Sequence, residues 1–458
     1  MSRHGQSQDA RIASEPARST RRGHIGLIVA GSLLGSLLLA LILAFLVFPG
    51  AVEPVINGVV LLAFAIGWAM LAWLSGRRSD QPQRWALVPA IFMATLGLAH
   101  LVIRPSDGLL RGFGWVWPIA LAGLVFWMFV QSRRALHNWS RAWILYPVLA
   151  VSLLAAVGGG YATVREALDK GAFTMPGQLI DVGGHKLHIS CTGSGSPTVI
   201  LEGGLGEPGV MMSGWIQPGV ATTTQVCVYD RAGKGWSEPS ETPQDGLSIA
   251  TDLHTLLSRA RVDGPYVLVG HSSGGVYVQV YAARYPEQVA GMVLLDSQPP
   301  DALANLPGYE GVYDGFRKAA GLAPALARLG VMRLVYSLVP TGLPPEAQAE
   351  ERAFWSTASH NRSFRDEVVG LKAALAEAQA LESLGDKPLI VVTAAEDAEV
   401  GWLPLQDKMA NLSTNSIHRV VQDVTHSSLT EDKGGSAISI QAILDVVAAV
   451  RSGVPLPT

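Results

Sequence analysis

Apolar residues follow two different patterns along this chain. In the first part, five long apolar runs succeed one another, and each approaches the roughly 20 residues with which a helix crosses the hydrocarbon layer. The runs lie at about 24–48, 54–75, 85–103, 113–131 and 142–160. A polar tail, residues 1–23, precedes them. A cleaved signal peptide fits poorly, because the first run is too long and four more follow it. The pattern predicts an all-α transmembrane bundle of about five helices.

From about residue 175 the apolar segments become short and alternate with amphipathic stretches. This alternation predicts βαβ units and a mostly parallel sheet of eight strands. The predicted strands are Gln178–Val182, Lys186–Cys191, Thr198–Glu202, Gln225–Tyr229, Tyr266–Val269, Gly291–Leu295, Pro388–Thr393 and Ile417–Val421. An insertion at about 299–386, rich in Ala and Leu, is predicted to form a mostly helical lid. The expected fold class is therefore an α/β domain at 175–458 behind a transmembrane region at 24–160.

Composition and charge agree with this division. Charged residues make up 16% of the chain, against about 25% in ordinary soluble domains, and the deficit lies in the first third. The net charge of -3 and the lack of a long basic tract do not indicate a nucleic-acid partner. The tail and the second and fourth loops of the bundle carry more arginines than the other loops. The positive-inside tendency then predicts a multi-pass protein of the cell membrane, with a cytoplasmic tail and an extracytoplasmic α/β domain.

One segment carries a motif with a defined chemistry. Residues 266–275, YVLVGHSSGG, read as a buried strand that enters G-x-S-x-G and then a helix. Such a sharp turn holds its serine in a strained conformation with the hydroxyl exposed above the sheet. The N-terminus of the following helix favours a developing oxyanion. Ser272 is therefore the predicted nucleophile, whereas Ser273 is excluded because His271 stands where the leading glycine is needed.

Three more segments, together with this motif, resemble the α/β-hydrolase fold family in its serine-nucleophile branch. They are 198–206 (TVILEGGLG), 229–237 (YDRAGKGWS) and 293–296 (VLLD). The resemblance covers about 175–455, and it departs from the family at Glu202, where many members have histidine. It implies that the backbone N–H groups of Gly204 and Ser273 form the oxyanion hole.

The resemblance also implies a catalytic triad in the order serine, acid, histidine. Asp397, after the seventh strand, aligns best with the family acid. Its neighbour Glu396 and Asp296, after the sixth strand, are alternatives. His426, which follows the last strand, is the predicted base because the triad needs a histidine at this place in the order.

The two cysteines are too few for a disulfide-built scaffold or a four-ligand zinc site. In the family's strand order the second and fourth strands are neighbours, and these strands carry Cys191 and Cys227. Adjacent strands lie about 4.8 Å apart, a spacing that a disulfide tolerates. A Cys191–Cys227 bridge is therefore the hypothesis, and two free buried cysteines are the alternative.

The resulting functional hypothesis is a membrane-anchored serine hydrolase. It would cleave an acyl bond, a carboxylic ester above all, in a small-molecule or lipid-like substrate through an acyl-enzyme. No metal or cofactor is implied. The same fold also carries peptidases, lipases, thioesterases and cofactor-free peroxidases. A non-catalytic membrane sensor or scaffold is the alternative of another class.

Overall fold

The computed structural model describes residues 25–136, 143–242 and 244–457, so the predicted polar tail, 1–23, lies outside the described residues. The first part of the chain forms long helices. They are α1 (Ile25–Ile42), α2 (Glu53–Arg78), α3 (Leu87–Ile103), α4 (Asp107–Phe113), α5 (Trp117–Ala135) and α6 (Leu145–Asp169). α1, α2, α3 and α6, together with short continuations of α1 and α3, are long and apolar enough to cross a membrane. α4 and α5 pass the same test together but are bent by 49°. Helices thus occupy all five predicted segments and form a transmembrane bundle.

The second part is built on an eight-stranded sheet with the order β1-β2-β4-β3-β5-β6-β7-β8. Its strands are β1 (Gln178–Asp181), β2 (Lys186–Thr192), β3 (Thr198–Glu202), β4 (Val226–Tyr229), β5 (Tyr266–His271), β6 (Val289–Leu295), β7 (Leu389–Ala394) and β8 (Ser416–Val421). β2 runs antiparallel to both of its neighbours, β1 and β4. The six strands β3 to β8 all run parallel to one another. Every residue of β3, β5 and β7 is buried, which explains their continuous apolar sequences.

Helices cover both faces of the sheet. The helices of this part of the chain are α7 (Val210–Gly214), α8 (Ile216–Ala221), α9 (Gly246–Ala260), α10 (Gly274–Arg284), α11 (Ala302–Asn305), α12 (Tyr309–Ala320), α13 (Ala323–Arg328), α14 (Val331–Leu338), α15 (Pro345–Trp355), α16 (Ala358–Ala378), α17 (Trp402–Ala410), α18 (Ser428–Glu431) and α19 (Lys433–Ser452). α9, α10 and α16 pack on one face, and α8 and α19 pack on the other. α19 is also long and apolar enough to span a membrane, but here it packs on the sheet.

The lid, α11 to α16, stands between β6 and β7 and rests on one end of the bundle. Arg328 of α13 forms ion pairs with Glu53 of α2 and, at 2.8 Å, with Asp107 of α4. A Cβ on Gly158 of α6 would lie 2.3 Å from the carbonyl oxygen of Leu329, so only glycine permits this approach. The lid is therefore attached to the bundle as well as to the sheet.

β2 and β4 place the two cysteines opposite each other. Cys191 pairs with Cys227 across the antiparallel ladder, and their sulfur atoms are bonded. The Cα atoms are 4.0 Å apart, close to the separation of directly opposed residues in a narrow antiparallel pair. The bond ties the antiparallel edge of the sheet to its parallel part.

Candidate active site

Ser272 occupies a sharp turn between β5 and α10. Its backbone φ is +54°, a value that residues other than glycine rarely adopt and that strains the backbone. A Cβ on Gly270 would lie 2.5 Å from the backbone nitrogen of Gly275, and a Cβ on Gly274 would lie 2.5 Å from the carbonyl oxygen of Glu202. The turn therefore closes only with glycines at these places, which is the conformation expected of a nucleophile elbow.

The carboxylate beside the imidazole of His426 belongs to Asp296. Nδ1 of His426 and Oδ2 of Asp296 are 2.6 Å apart, and Oδ1 of Asp296 accepts a hydrogen bond of 2.8 Å from the Trp402 indole. Asp296 directly follows β6 and is buried, and its φ of +40° marks a second strained turn. Two donors and a strained backbone thus hold this carboxylate against the ring.

The prediction of Asp397 as the group that orients the imidazole is corrected. Asp397 is exposed, and its two oxygens accept from the backbone N–H of His426 at 2.9 and 3.2 Å. The strand order explains the difference, because β6 is the direct neighbour of β5 whereas β7 lies one strand farther away. The end of β6 therefore lies beside the serine, whose backbone N–H donates to the carbonyl oxygen of Leu295 at 3.2 Å, and Asp296 is the next residue. Glu396 is exposed and makes no contact with the imidazole within the described part of the chain.

The predicted oxyanion donors differ in their surroundings. Gly204 lies beside the nucleophile, since a Cβ on it would be 2.8 Å from the Cβ of Ser272. Its N–H donates a hydrogen bond of 2.6 Å to Oε2 of Glu207, so a carboxylate oxygen stands at the place where the prediction puts the oxyanion. The backbone N–H of Ser273, at the start of α10, has no acceptor among the residues that the structure describes.

Glu207 continues into a chain of contacts that reaches the base. Its Oε1 lies 2.9 Å from Nδ1 of His271, and Nε2 of His271 lies 3.1 Å from the carbonyl oxygen of His426. Both ring nitrogens of His271 therefore face acceptors, as an imidazolium requires. Burial by itself disfavours that charge, but the Glu207 carboxylate and the two hydrogen bonds raise the pKa of His271 to about 9. The charged pair thus contacts the backbone of His426 through Nε2 of His271.

A buried ionic cluster holds the loop after β3, here called the oxyanion loop, which carries Gly203 and Gly204. The guanidinium of Arg231 donates to the carbonyl oxygens of Gly203 and Gly204 at 2.7 and 2.6 Å. It also binds Glu202 and, through Nε at 2.7 Å, Glu367 of the lid helix α16. Burial would raise the pKa of Glu367, yet Arg231 and a neighbouring lysine lower it to about 2. This cluster was not predicted; the charge of Glu202 at the end of an apolar strand was the signal that a buried partner exists.

A family model described as alpha/beta hydrolase fold matches residues 197–433, more than half of the chain. The chain belongs to this family. The Cif epoxide hydrolase of Acinetobacter nosocomialis is similar in structure, with a TM-score of 0.51 and 16% identity over 62% of this chain and 96% of that chain. At this identity the likeness shows the fold alone. Fold and family together make the protein an enzyme of the α/β-hydrolase superfamily.

The relatives of this chain include a protein that is described as a membrane protein. An uncharacterised protein of Schizosaccharomyces pombe is 26% identical over an alignment of 453 positions, which covers 88% of this chain and 81% of that protein. Such a match extends beyond the hydrolase and into the bundle. An uncharacterised vacuolar membrane protein of Saccharomyces cerevisiae is 27% identical over 130 residues, but only 25% of this chain and 20% of that protein are covered. Together with the apolar bundle, these relatives indicate a membrane-associated hydrolase.

Proposed function

We propose that this protein is a membrane-anchored serine hydrolase that cleaves carboxylic esters with Ser272, His426 and Asp296. The observation that carries the proposal is the strained serine at the strand-to-helix turn, together with the pair that His426, after β8, forms with Asp296, after the neighbouring strand β6. A serine at this turn makes an acyl-enzyme, whereas an aspartate is the nucleophile that opens an epoxide by ester formation. The chemistry proposed here therefore differs from that of the epoxide hydrolase that shares the fold.

The proposed mechanism begins when His426 takes the Ser272 proton on Nε2. The serine oxygen attacks the acyl carbon, and the carbonyl oxygen becomes an oxyanion. Asp296 holds the tautomer of His426 and stabilises its charged form. His426 then gives the proton to the leaving alkoxide. A water molecule, deprotonated by the same ring, attacks the acyl-enzyme and releases the carboxylic acid and Ser272.

The oxyanion would receive hydrogen bonds from Ser273 and Gly204, and each such donor is worth roughly 3 kcal/mol. Glu207 stands in the way of the second donor, because its Oε2 occupies the position opposite the Gly204 N–H. We infer that this carboxylate oxygen takes the place of the substrate oxygen while the site is empty. Substrate binding then requires Glu207 to turn away from Gly204.

The position and the exposed side chains of the lid are evidence in favour of a lipid-like acyl substrate at the membrane surface. It rests on the bundle, and on α14 the side chains of Leu334 and Leu338 are 63% and 75% exposed. Exposed apolar side chains beside transmembrane helices are stable where they contact lipid. The Cys191–Cys227 bond, together with the loop charges, supports an extracytoplasmic domain on the cell membrane, since disulfides persist outside the cytoplasm.

A fluorophosphonate probe, applied to the full chain in detergent micelles, tests the nucleophile. The probe is expected to label the protein at Ser272. In Ser272→Ala, labelling should vanish and ester hydrolysis should fall by about 10⁴ to 10⁶ in kcat. Ser240→Ala, a change on a surface loop, is the matched control and should react like the unmodified protein. Equal turnover by Ser272→Ala and the unmodified protein would refute the proposal.

Two further measurements test the finer claims. A panel of esters with rising acyl length should show a rate that increases with chain length if the substrate is lipid-like, and a preference for the shortest ester would contradict it. A reporter that is active only after export, fused behind Thr458, should be active. An inactive reporter beside an active cytoplasmic reporter at the same place would put the hydrolase in the cytoplasm.

A further inference from the structure

Arginines of four lid helices bind the end of the bundle on which the lid rests. Arg317 of α12 donates a hydrogen bond of 2.9 Å to the carbonyl oxygen of Pro49, in the loop before α2. Arg333 of α14 forms an ion pair of 2.6 Å with Asp169, the last residue of α6. The other two arginines, on α13 and α16, share one carboxylate at the start of α2. The lid is therefore attached to the bundle by a set of charge-assisted hydrogen bonds.

The shared carboxylate belongs to Glu53, whose side chain is 1% exposed. Arg328 of α13 and Arg362 of α16 both donate to it. Arg328 also binds Asp107 of α4 at 2.8 Å. Arg362 lies 3.9 Å from the same carboxylate, which is too far for a hydrogen bond. Glu53 therefore supplies the hydrogen bond that holds Arg362, whereas Arg328 has a second carboxylate.

The helix that carries Arg362 also contacts the oxyanion loop. Phe364 stands against Gly206 of this loop, since a Cβ on the glycine would lie 2.8 Å from the Phe364 ring. Glu367 accepts a hydrogen bond of 3.1 Å from the backbone N–H of Gly206 and holds Arg231, which donates to two carbonyl oxygens of the same loop. Arg362 and Glu367 are about 7.5 Å apart along α16. One continuous helix thus joins the contact with the bundle to the oxyanion loop.

We propose that Glu53 is a positioning residue for the candidate active site. It fixes α16 through Arg362, and α16 fixes the oxyanion loop through Glu367. The bundle then does more than anchor the hydrolase, because the start of a transmembrane helix sets the position of the loop beside the nucleophile. The effect on turnover rests on the proposed function, whereas the effect on the loop does not.

Burial makes this contact sensitive to the charge of Glu53. Removal of one partner from a buried ion pair is costly, because the other charge is left uncompensated. Arg362 is only 20% exposed, so without Glu53 its guanidinium would move toward water or toward Asp107 and would take α16 with it. A displacement of about 1 Å at the reacting groups can lower a rate by about a hundredfold. A small shift of α16 is therefore enough to change catalysis.

Hydrogen exchange of the oxyanion loop tests this inference without reference to catalysis. The full chain in nanodiscs is compared with Glu53→Gln, and the readout is the amide of Gly206, which donates to Glu367. In Glu53→Gln this amide should exchange about tenfold faster, because the opening of the loop becomes easier. Asp169→Asn is the matched control. It removes the same kind of contact between lid and bundle, but on α14, and the exchange at Gly206 should stay unchanged.

A second pair of variants approaches the contact from the lid and decides the question if Glu53→Gln does not fold. Arg362→Gln should speed the exchange at Gly206, and its control Arg333→Gln should not. An unchanged amide in either folded variant of the Glu53–Arg362 contact would overturn the proposal. A similar acceleration in the control variants would also overturn it, since attachment of the lid in general would then hold the loop.

Turnover gives a readout that a merely structural role would not move. In Glu53→Gln and Arg362→Gln, kcat for an ester should fall by about 10- to 100-fold with KM little changed, because the oxyanion loop acts on the transition state. The two controls should keep their kcat. A raised KM with unchanged kcat would overturn the positioning role in catalysis. If the unmodified protein hydrolyses no ester, the proposed function fails, and hydrogen exchange still decides whether Glu53 positions the loop.

Discussion

Two neighbouring loops each bring a carboxylate to His426, and they use it differently. The loop after β6 holds Asp296 buried, with one oxygen on the imidazole and the other on the Trp402 indole. The loop after β7 leaves Asp397 exposed, with both oxygens on the backbone N–H of His426. A carboxylate that contacts the ring can select its tautomer, and one that contacts the backbone only positions the loop. Proximity to the histidine therefore does not identify the acid of a triad; the atoms in contact do.

The largest effect expected from this comparison concerns Asp296. Asp296→Asn keeps the shape of the side chain but removes the charge that orients the ring, and kcat should fall by about 10⁴. Ester hydrolysis by the purified full chain measures it, with circular dichroism to show that the fold persists. Near-normal turnover in this variant would mean that the contact of 2.6 Å does not operate in catalysis.

The strands, the bundle and the turn at Ser272 are the features that the sequence makes predictable. The eight strands follow from their apolar segments, and the bundle follows from runs of membrane length. The turn at Ser272 follows from glycines that local sterics demand. All of these depend on contacts between residues close in sequence or on burial alone.

The choice of acid depends on longer-range facts. Asp296 and His426 are separated by 130 residues, and their contact follows from the order of β5, β6 and β7 in the sheet. The Arg231–Glu367 pair joins residues 136 apart, on a loop and on the lid. Glu207 reaches Gly204 through a turn of the loop that no strand pattern reveals. Sequence spacing supplied candidates for the acid, and the packing of the sheet selected between them.

A second expected effect concerns the pair of Glu207 and His271, which contacts the carbonyl oxygen of His426. The pKa of His271 rises from 6.5 to about 9 beside Glu207. A raised pKa stabilises the folded state fully below pH 6.5, and this contribution is lost as the pH rises through about 9. The loss amounts to about 3 kcal/mol in the free energy of unfolding. Chemical denaturation between pH 6 and 10 measures it.

Glu207→Gln is the comparison that isolates this contribution. Without the carboxylate the pKa of His271 should fall, and stability should decline less between pH 6.5 and 9 than in the unmodified protein. Parallel stability curves for the two proteins would show that the pair does not carry the pH dependence.

A smaller effect is expected at Trp402. Trp402→Phe removes the indole that donates to Oδ1 of Asp296 and leaves a buried carboxylate oxygen without that donor, at a cost of roughly 1–3 kcal/mol. A freer carboxylate orients His426 less well, so kcat should fall by about 10- to 100-fold with little change in KM. Trp215→Phe, which removes an indole hydrogen bond to the Gly342 carbonyl, is the control for loss of an indole. A loss of activity in the control alone would reverse the interpretation.

The smallest effect is expected at Asp397, and it tests whether the carboxylate that contacts only the backbone of His426 is needed for catalysis. Asp397→Ala leaves the contact between Asp296 and the imidazole intact and removes only the acceptor of the His426 backbone N–H. Because Asp397 is exposed, water replaces the lost acceptor, and the free energy of unfolding should change by about 1 kcal/mol or less. The kcat should stay within about tenfold, since a loosened loop shifts the ring without changing its tautomer. Hydrogen exchange offers an independent readout, because the amide of His426 should exchange faster in this variant than in Asp296→Asn. If Asp397→Ala is as inactive as Asp296→Asn, the backbone contact is itself essential, and the division of labour between the two loops is wrong.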